Sequence, residues 1–123
     1  MIKRLHSSLF LVRDLAATAN FYTVAGFNVE GDEKTVRVVY GDFRLAFMQD
    51  DSADINIDDA HAPRGVGIFT YVEVENVDEQ YQNLVTAGIV VSSEPKDWPW
   101  GKREFVVRDP DGYKIVFYTS ITK

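Results

Sequence analysis

Few side chains here are equipped for chemistry, and most of them fall in three short stretches. In "LHSSLF", His6 and Ser8 are two apart. On an extended strand they share a face, as a nucleophile and its base would. No third group to orient the imidazole and no oxyanion loop accompanies them. In "TYVEVE", Tyr71 and Glu73 also share a strand face. Either could serve as general base in a cofactor-free lyase or isomerase, and Glu73 could instead meet a cationic group. In "WPWGKREFVVRDPDGYKIVF", Trp98 and Trp100 stand just before Lys102. Indole faces stack on flat ligands or hold cations, worth about 0.5–2 kcal/mol each when desolvated. Arg37 and Lys102 could meet an anion. The ordinary alternatives are indoles that anchor a loop and surface charges that stay in water.

Two similar units must position these groups. Residues 8–12 form a short apolar run typical of a strand. Asp14 can cap a helix in which Leu15, Ala19, Tyr22 and Ala25 recur at helical spacing, and Gly26 closes it. Further on, residues 67–75 read as a strand. Asn76 can cap, with Glu79 three residues later in the manner of a capping box. Val77, Tyr81, Leu84 and Val85 repeat at helical spacing, and Gly88 closes. Asp14 and Asn76, Leu15 and Val77, and Gly26 and Gly88 all stand 62 residues apart, which points to an internal duplication. Strands are expected at 27–30, 34–40 and 43–49 after the first helix, and at 89–93, 103–107 and 113–119 after the second. Gly41-Asp42 and Asp111-Gly112 supply turn chemistry. Each half therefore reads β-α-β-β-β. Module one covers 1–49, module two covers 66–123, and "DDSADINIDDAHAPRG" at 50–65 is an acidic connector that holds His61 and lacks the calcium-loop spacing.

Alternation assigns the strand faces. Even positions Ile68, Thr70, Val72 and Val74 are the steadier apolar set and are expected to pack on the helices. The odd positions Ser7, Leu9, Leu11, Phe69, Tyr71 and Glu73 then form a free face of mixed chemistry. Such a face suits a ligand wall, or it packs on a second subunit or on the other half.

Composition narrows the classes. A chain of 123 residues suits one domain, and its net charge of −6, from 13 basic and 19 acidic residues, disfavours nucleic acid. No apolar run reaches the roughly eighteen residues of a membrane-spanning helix. The start, "MIKRLHSS", has no apolar core of a signal peptide. Cysteine is absent, which excludes disulfides and thiolate chemistry and makes a reducing cytoplasm the expected compartment. "RGVG" lacks a phosphate-loop pattern.

"LFLVRDLAATANFYTVAGF", "TYVEVENVDEQYQNLVTAGI" and "WGKREFVVRDPDGYKIVF", in that order, resemble the vicinal oxygen chelate superfamily of glyoxalases, extradiol dioxygenases and bleomycin-resistance proteins. The resemblance implies an α+β fold in which paired βαβββ modules form a curved mixed sheet around a cavity, with helices on the convex side. Completion in a homodimer is the family habit. Metal-dependent members bind a divalent ion through His and Glu. Carried over one at a time, those positions fall on Ser7, Leu45, Phe69 and Val116. None of these is an imidazole or carboxylate, and a slip of one residue toward His6 repairs only one of the four.

The resemblance is nearest to the metal-free bleomycin-resistance branch, which sequesters a bulky cationic glycopeptide. It implies a metal-independent binder of a small molecule, cationic or aromatic, with no cofactor. The expected contacts are Ser7, Leu9, Arg37, Phe69, Tyr71 and Glu73, with Trp98, Trp100, Lys102 and Val116. The alternatives are a metal-dependent lyase or dioxygenase with unusual ligands, a cofactor-free isomerase, and a structural or regulatory dimer with a filled cavity. Protein purified without chelator is expected to carry no tightly bound divalent ion. Metal analysis finding about one per chain would overturn this.

Overall fold

The fold was obtained as a computed structural model and is described for residues 1–51 and 63–121. The elements run β1 (Ser7–Val12), α1 (Leu15–Val24), β2 (Val29–Gly31), β3 (Thr35–Tyr40) and β4 (Phe43–Gln49), then β5 (Phe69–Glu73), α2 (Val77–Thr86), β6 (Lys96–Trp98), β7 (Lys102–Arg108) and β8 (Lys114–Ser120). They make two open four-stranded sheets, ordered β1-β4-β3-β2 and β5-β8-β7-β6. In each sheet the first and last strands pair parallel and the remaining pairs are antiparallel. This is an α+β fold of two βαβββ modules. The chain divides into compact units Met1–Pro63 and Arg64–Lys123. His61 and most of the acidic connector lie outside the described residues. Among the described residues no helix is long and apolar enough to cross a membrane.

Both helices form for the reasons the sequence offers. Asp14 accepts the N–H of Ala17 at 3.1 Å, and Asn76 accepts that of Glu79 at 3.0 Å. Caps of this kind stabilise a helix by about 1 kcal/mol. Gly26 and Gly88 follow the helices at φ 99° and 84°, where a side chain would be strained. A second device joins helix to sheet in both copies. The first helical N–H is met by a side chain near the end of the module's last strand: Leu15 by Gln49 at 3.3 Å, Val77 by Thr119 at 3.0 Å.

Each helix lies on one face of its own sheet. In the first unit Tyr22 of α1 packs against Phe47 with ring centroids 4.9 Å apart, and Phe10 stacks on Phe47 at 5.4 Å. In the second, Tyr81 of α2 meets Phe105 edge-on at 5.5 Å, and Phe105 stacks on Phe117 at 5.5 Å. Val12, Leu15, Val36, Val38 and Leu45 complete the first core, and Val77, Leu84, Val107 and Ile115 the second. Arg103 fastens α2 from the same side. It grips both carboxylate oxygens of Asp78 at 3.0 and 3.1 Å and reaches Asp97 at 3.0 Å. That grip, a hydrogen bond first and simple attraction after it, lowers the pKa of Asp78 and raises that of Arg103.

The main correction to the expected elements concerns 89–93. "IVVSS" has strand propensity but forms no strand, and Val90 is exposed. A strand needs an edge to pair with, and the free edge of β7 is taken by Lys96–Trp98. Two other strands start two residues later than expected. Phe27 precedes β2 and packs edge-on against Tyr22 at 5.3 Å, and β5 spans only Phe69–Glu73.

Gly65 sits in the second unit, where its carbonyl accepts from Lys114 Nζ at 3.3 Å. With φ +75°, a Cβ added there would run into the carbonyl oxygen of Gly112. Gly65→Ala is therefore expected to cost more than about 2 kcal/mol, from left-handed strain plus overpacking against backbone. Gly88→Ala meets open space at a similar φ, and should cost only about 1–2 kcal/mol. Urea melts compare the two, and equal losses would show that the Gly65 contact relaxes freely.

Candidate functional site

The face of each sheet turned away from its helix carries most of the side chains singled out in the sequence. On the second sheet, register sets Tyr71 of β5 beside Val116 of β8 and Val106 of β7. The next row runs Glu73, Tyr118, Glu104 and Lys96. Lys102 follows, opposite Trp98 of β6. Phe69 pairs with Lys114 at the other end. Directly opposed residues share a face, so Phe69, Tyr71, Glu73, Trp98, Lys102 and Val116 occupy one surface. Phe69 and Tyr71 are about half exposed, whereas Val116 is buried and can only be floor. Ser7, Leu9 and Arg37 lie on the corresponding face of the first sheet, where Leu9, Ala46 and Arg37 form one row. Arg37 stands 3.7 Å from Glu30 across the strand pair.

The tryptophans do not close the loop by burying themselves in the body. They stack on one another, with centroids 4.8 Å apart and planes 10° apart. Trp98 is half-buried and Trp100 is 55% exposed. Gly101 donates its N–H to the Trp98 carbonyl at 3.1 Å and so closes the turn that presents Trp100. Trp100 Nε1 donates to Glu104 Oε1. Lys96 Nζ lies 4.3 Å from the centroid of Trp98.

Glu104 was not singled out from the sequence, and it organises this face. Its side chain is only 5% exposed, and a buried carboxylate needs donors. Trp100 supplies one. The Tyr71 hydroxyl supplies another, and Tyr71 in turn meets Tyr118 edge-on at 5.9 Å. Partial desolvation first, and then the charge and hydrogen bond of Glu104, raise the Tyr71 pKa above its ordinary 10.0. Held in its protonated form, the phenol acts toward Glu104 as a hydrogen-bond donor. Alternation alone puts Glu104 on the face of Lys102, two residues back on the same strand, but among Lys102 and Arg103 it reads as one more surface charge. The same logic reaches Tyr118, two beyond Val116.

Two sequence expectations need correction. His6 does not serve Ser8. Its Nδ1 lies 3.1 Å from Ser7 Oγ, while Ser8 is opposite Leu45 on the helix-facing side. Leu45 is also not the partner of Val116. It is 6% exposed in the first core. The first turn pairs Tyr40 with Phe43, whereas the second pairs Arg108 with Lys114. That difference in turn length shifts the count from the turn glycine by one residue, and one residue reverses the face. Register puts Ala46 where Leu45 was expected. The four positions at which the resemblance places metal ligands are therefore Ser7, Ala46, Phe69 and Val116. One hydroxyl, a methyl, a phenyl and an isopropyl do not fit a divalent ion. Among the described residues no group of three or more His, Asp or Glu side chains is placed to hold a metal.

Comparison with known proteins agrees with this architecture. The model of the Glyoxalase/Bleomycin resistance protein/Dioxygenase superfamily matches residues 4–117. The chain belongs to that superfamily. Bleomycin resistance proteins of Geobacillus stearothermophilus and Staphylococcus aureus are 41% identical to it over 51 residues, which covers 41% of this chain and 39% of theirs. The match thus spans well under half the length of these relatives. A glyoxalase/bleomycin resistance protein/dioxygenase from Nocardioides superimposes with a TM-score of 0.76 at 22% identity, covering 98% of this chain and 87% of that one. A superfamily member from Sphaerobacter thermophilus gives 0.74 at 23%, covering 97% and 98%. At such identities the likeness speaks for the fold alone.

The Tyr71–Glu104 bond has a pH signature. Because the folded pKa of Tyr71 is raised, its contribution to stability is complete below the unfolded value of 10.0 and is lost as pH rises through the folded value. Tyr71→Phe should flatten the alkaline limb of the stability profile. Urea melts at about pH 8 and about pH 11 measure this, and parallel losses in the two proteins would contradict the bond.

Proposed function

We propose that this chain is a metal-independent small-molecule binding protein whose ligand stacks on the Trp98–Trp100 pair, with drug sequestration as its use. The observation that carries the reading is the stacked indole pair, tied to the buried Glu104 on a sheet face that the helix leaves uncovered. Aromatic surface that is already ordered binds without first losing the freedom of its side chains. Phe69, Tyr71, Lys102 and Glu73 extend the contact surface around a Val116 floor, and Ser7, Leu9 and Arg37 belong to the matching face of the first module. The partial likeness to bleomycin resistance proteins supports small-molecule binding over catalysis. The chain works as a cytoplasmic homodimer in this reading, supported by the family habit, by the absence of cysteine, and by sheet edges at β1, β2, β5 and β6 that invite covering.

Thermal melts with a cationic glycopeptide drug, planar aromatic antibiotics and divalent metals test the reading. A ligand at about a hundred times its Kd stabilises by about 2.7 kcal/mol, so binding is visible as a clear rise in Tm. At least one of these drug classes is expected to raise Tm, and the metals are expected to leave it unchanged. Trp100→Ala should weaken any such binding by about 0.5–2 kcal/mol. Stabilisation by metals alone, reversed by chelator, would refute the proposal.

A further inference from the structure

We infer that the ligand of the Trp98–Trp100 face is a planar aromatic anion. This rests on the binding reading above and fixes the charge of what binds. The chain as a whole is acidic, with a net charge of −6. The open face of its second sheet is not. Register places Lys96, Lys102, Arg108 and Lys114 there, against the carboxylates of Glu73 and Glu104. Of those two, Glu104 is buried and already accepts from Trp100 and Tyr71. Glu73 is thus the one exposed carboxylate on that face among the described residues.

The aromatic rings point the same way. A cationic ligand would be held by ring faces, and three of the rings on this face already carry the protein's own ammonium groups. Lys96 Nζ lies 4.3 Å from the centroid of Trp98, Lys102 Nζ 5.2 Å from that of Tyr118 and Lys114 Nζ 4.9 Å from that of Phe69. A cation arriving here would have to displace these lysines or sit beside them. An anion instead gains from Lys96 and Lys102, which flank the indole pair: one covers Trp98, and the other stands directly across from it. Trp98 has Lys96 and Trp100 as ring neighbours, so stacking falls to the exposed Trp100.

The test uses one ring with three charges: naphthoate, naphthamide and naphthylmethylammonium. Both tryptophans of the chain belong to the pair, so quenching of its intrinsic fluorescence reports this site directly. Naphthoate is expected to bind most tightly and the ammonium most weakly. Two partly exposed charges separate those ends by about tenfold at low salt, and the gap closes as salt rises. In the double variant Lys96→Gln, Lys102→Gln the order should collapse while the affinity for naphthamide stays, which shows the indole platform intact. Equal affinities, or a preference for the ammonium, would overturn the charge assignment and leave the binding reading standing. Quenching by none of the three would defeat the binding reading itself, and this inference with it.

Discussion

One ten-residue helix per four-stranded sheet is the constraint on which everything else depends. Four strands about 4.8 Å apart span roughly 15 Å, and a helix is about 10 Å wide. Such a helix can bury one face of the sheet and has nothing left for the other. The covered faces hold Phe10, Phe47 and Tyr22 in one module and Phe105, Phe117 and Tyr81 in the other, as stacked and edge-on ring contacts. Strand alternation then hands every second residue to the opposite side. Chemistry on that side is free to vary, because the core does not need it.

On the second module, that freedom is spent around a buried charge. A carboxylate removed from water must be met by donors, and the donors available are an indole N–H and a phenol. Meeting Glu104 therefore fixes the two rings that flank it. Trp100, once tied, gives Trp98 a parallel partner. A surface loop that could have sampled many positions presents a flat, oriented platform instead. The cost of ordering it falls on folding, not on binding.

Much of this was legible from the sequence because it depends on spacing of two and of 3.6. The caps at Asp14 and Asn76, the closing glycines and the alternation of "FTYVE" all appear in the structure, and so does the shared face of Phe69, Tyr71, Glu73 and Val116. What was lost depended on pairing between distant strands. "IVVSS" has the residues of a strand and no free edge to join. Leu45 was reached by counting from a turn glycine, and the two turns differ in length. Glu104 reads as a surface charge until register sets it between Tyr118 and Lys96. A single sequence shows which residues alternate. It does not show which row each one enters.

The two modules also fall out of step in a telling place. Ser7 and Phe69, their paired starting residues, are 62 apart, but their strand partners Arg44 and Lys114 are 70 apart. The added length lies between the second helix and the last strand, and most of it goes into the β6–β7 hairpin that bears the two tryptophans. The counterpart in the first module, the β2–β3 hairpin with its turn at Asp32, carries no tryptophan. The duplicated scaffold is nearly symmetric; its aromatic platform is not. Saturation should therefore be reached at one ligand per chain, although the fold contains two open faces.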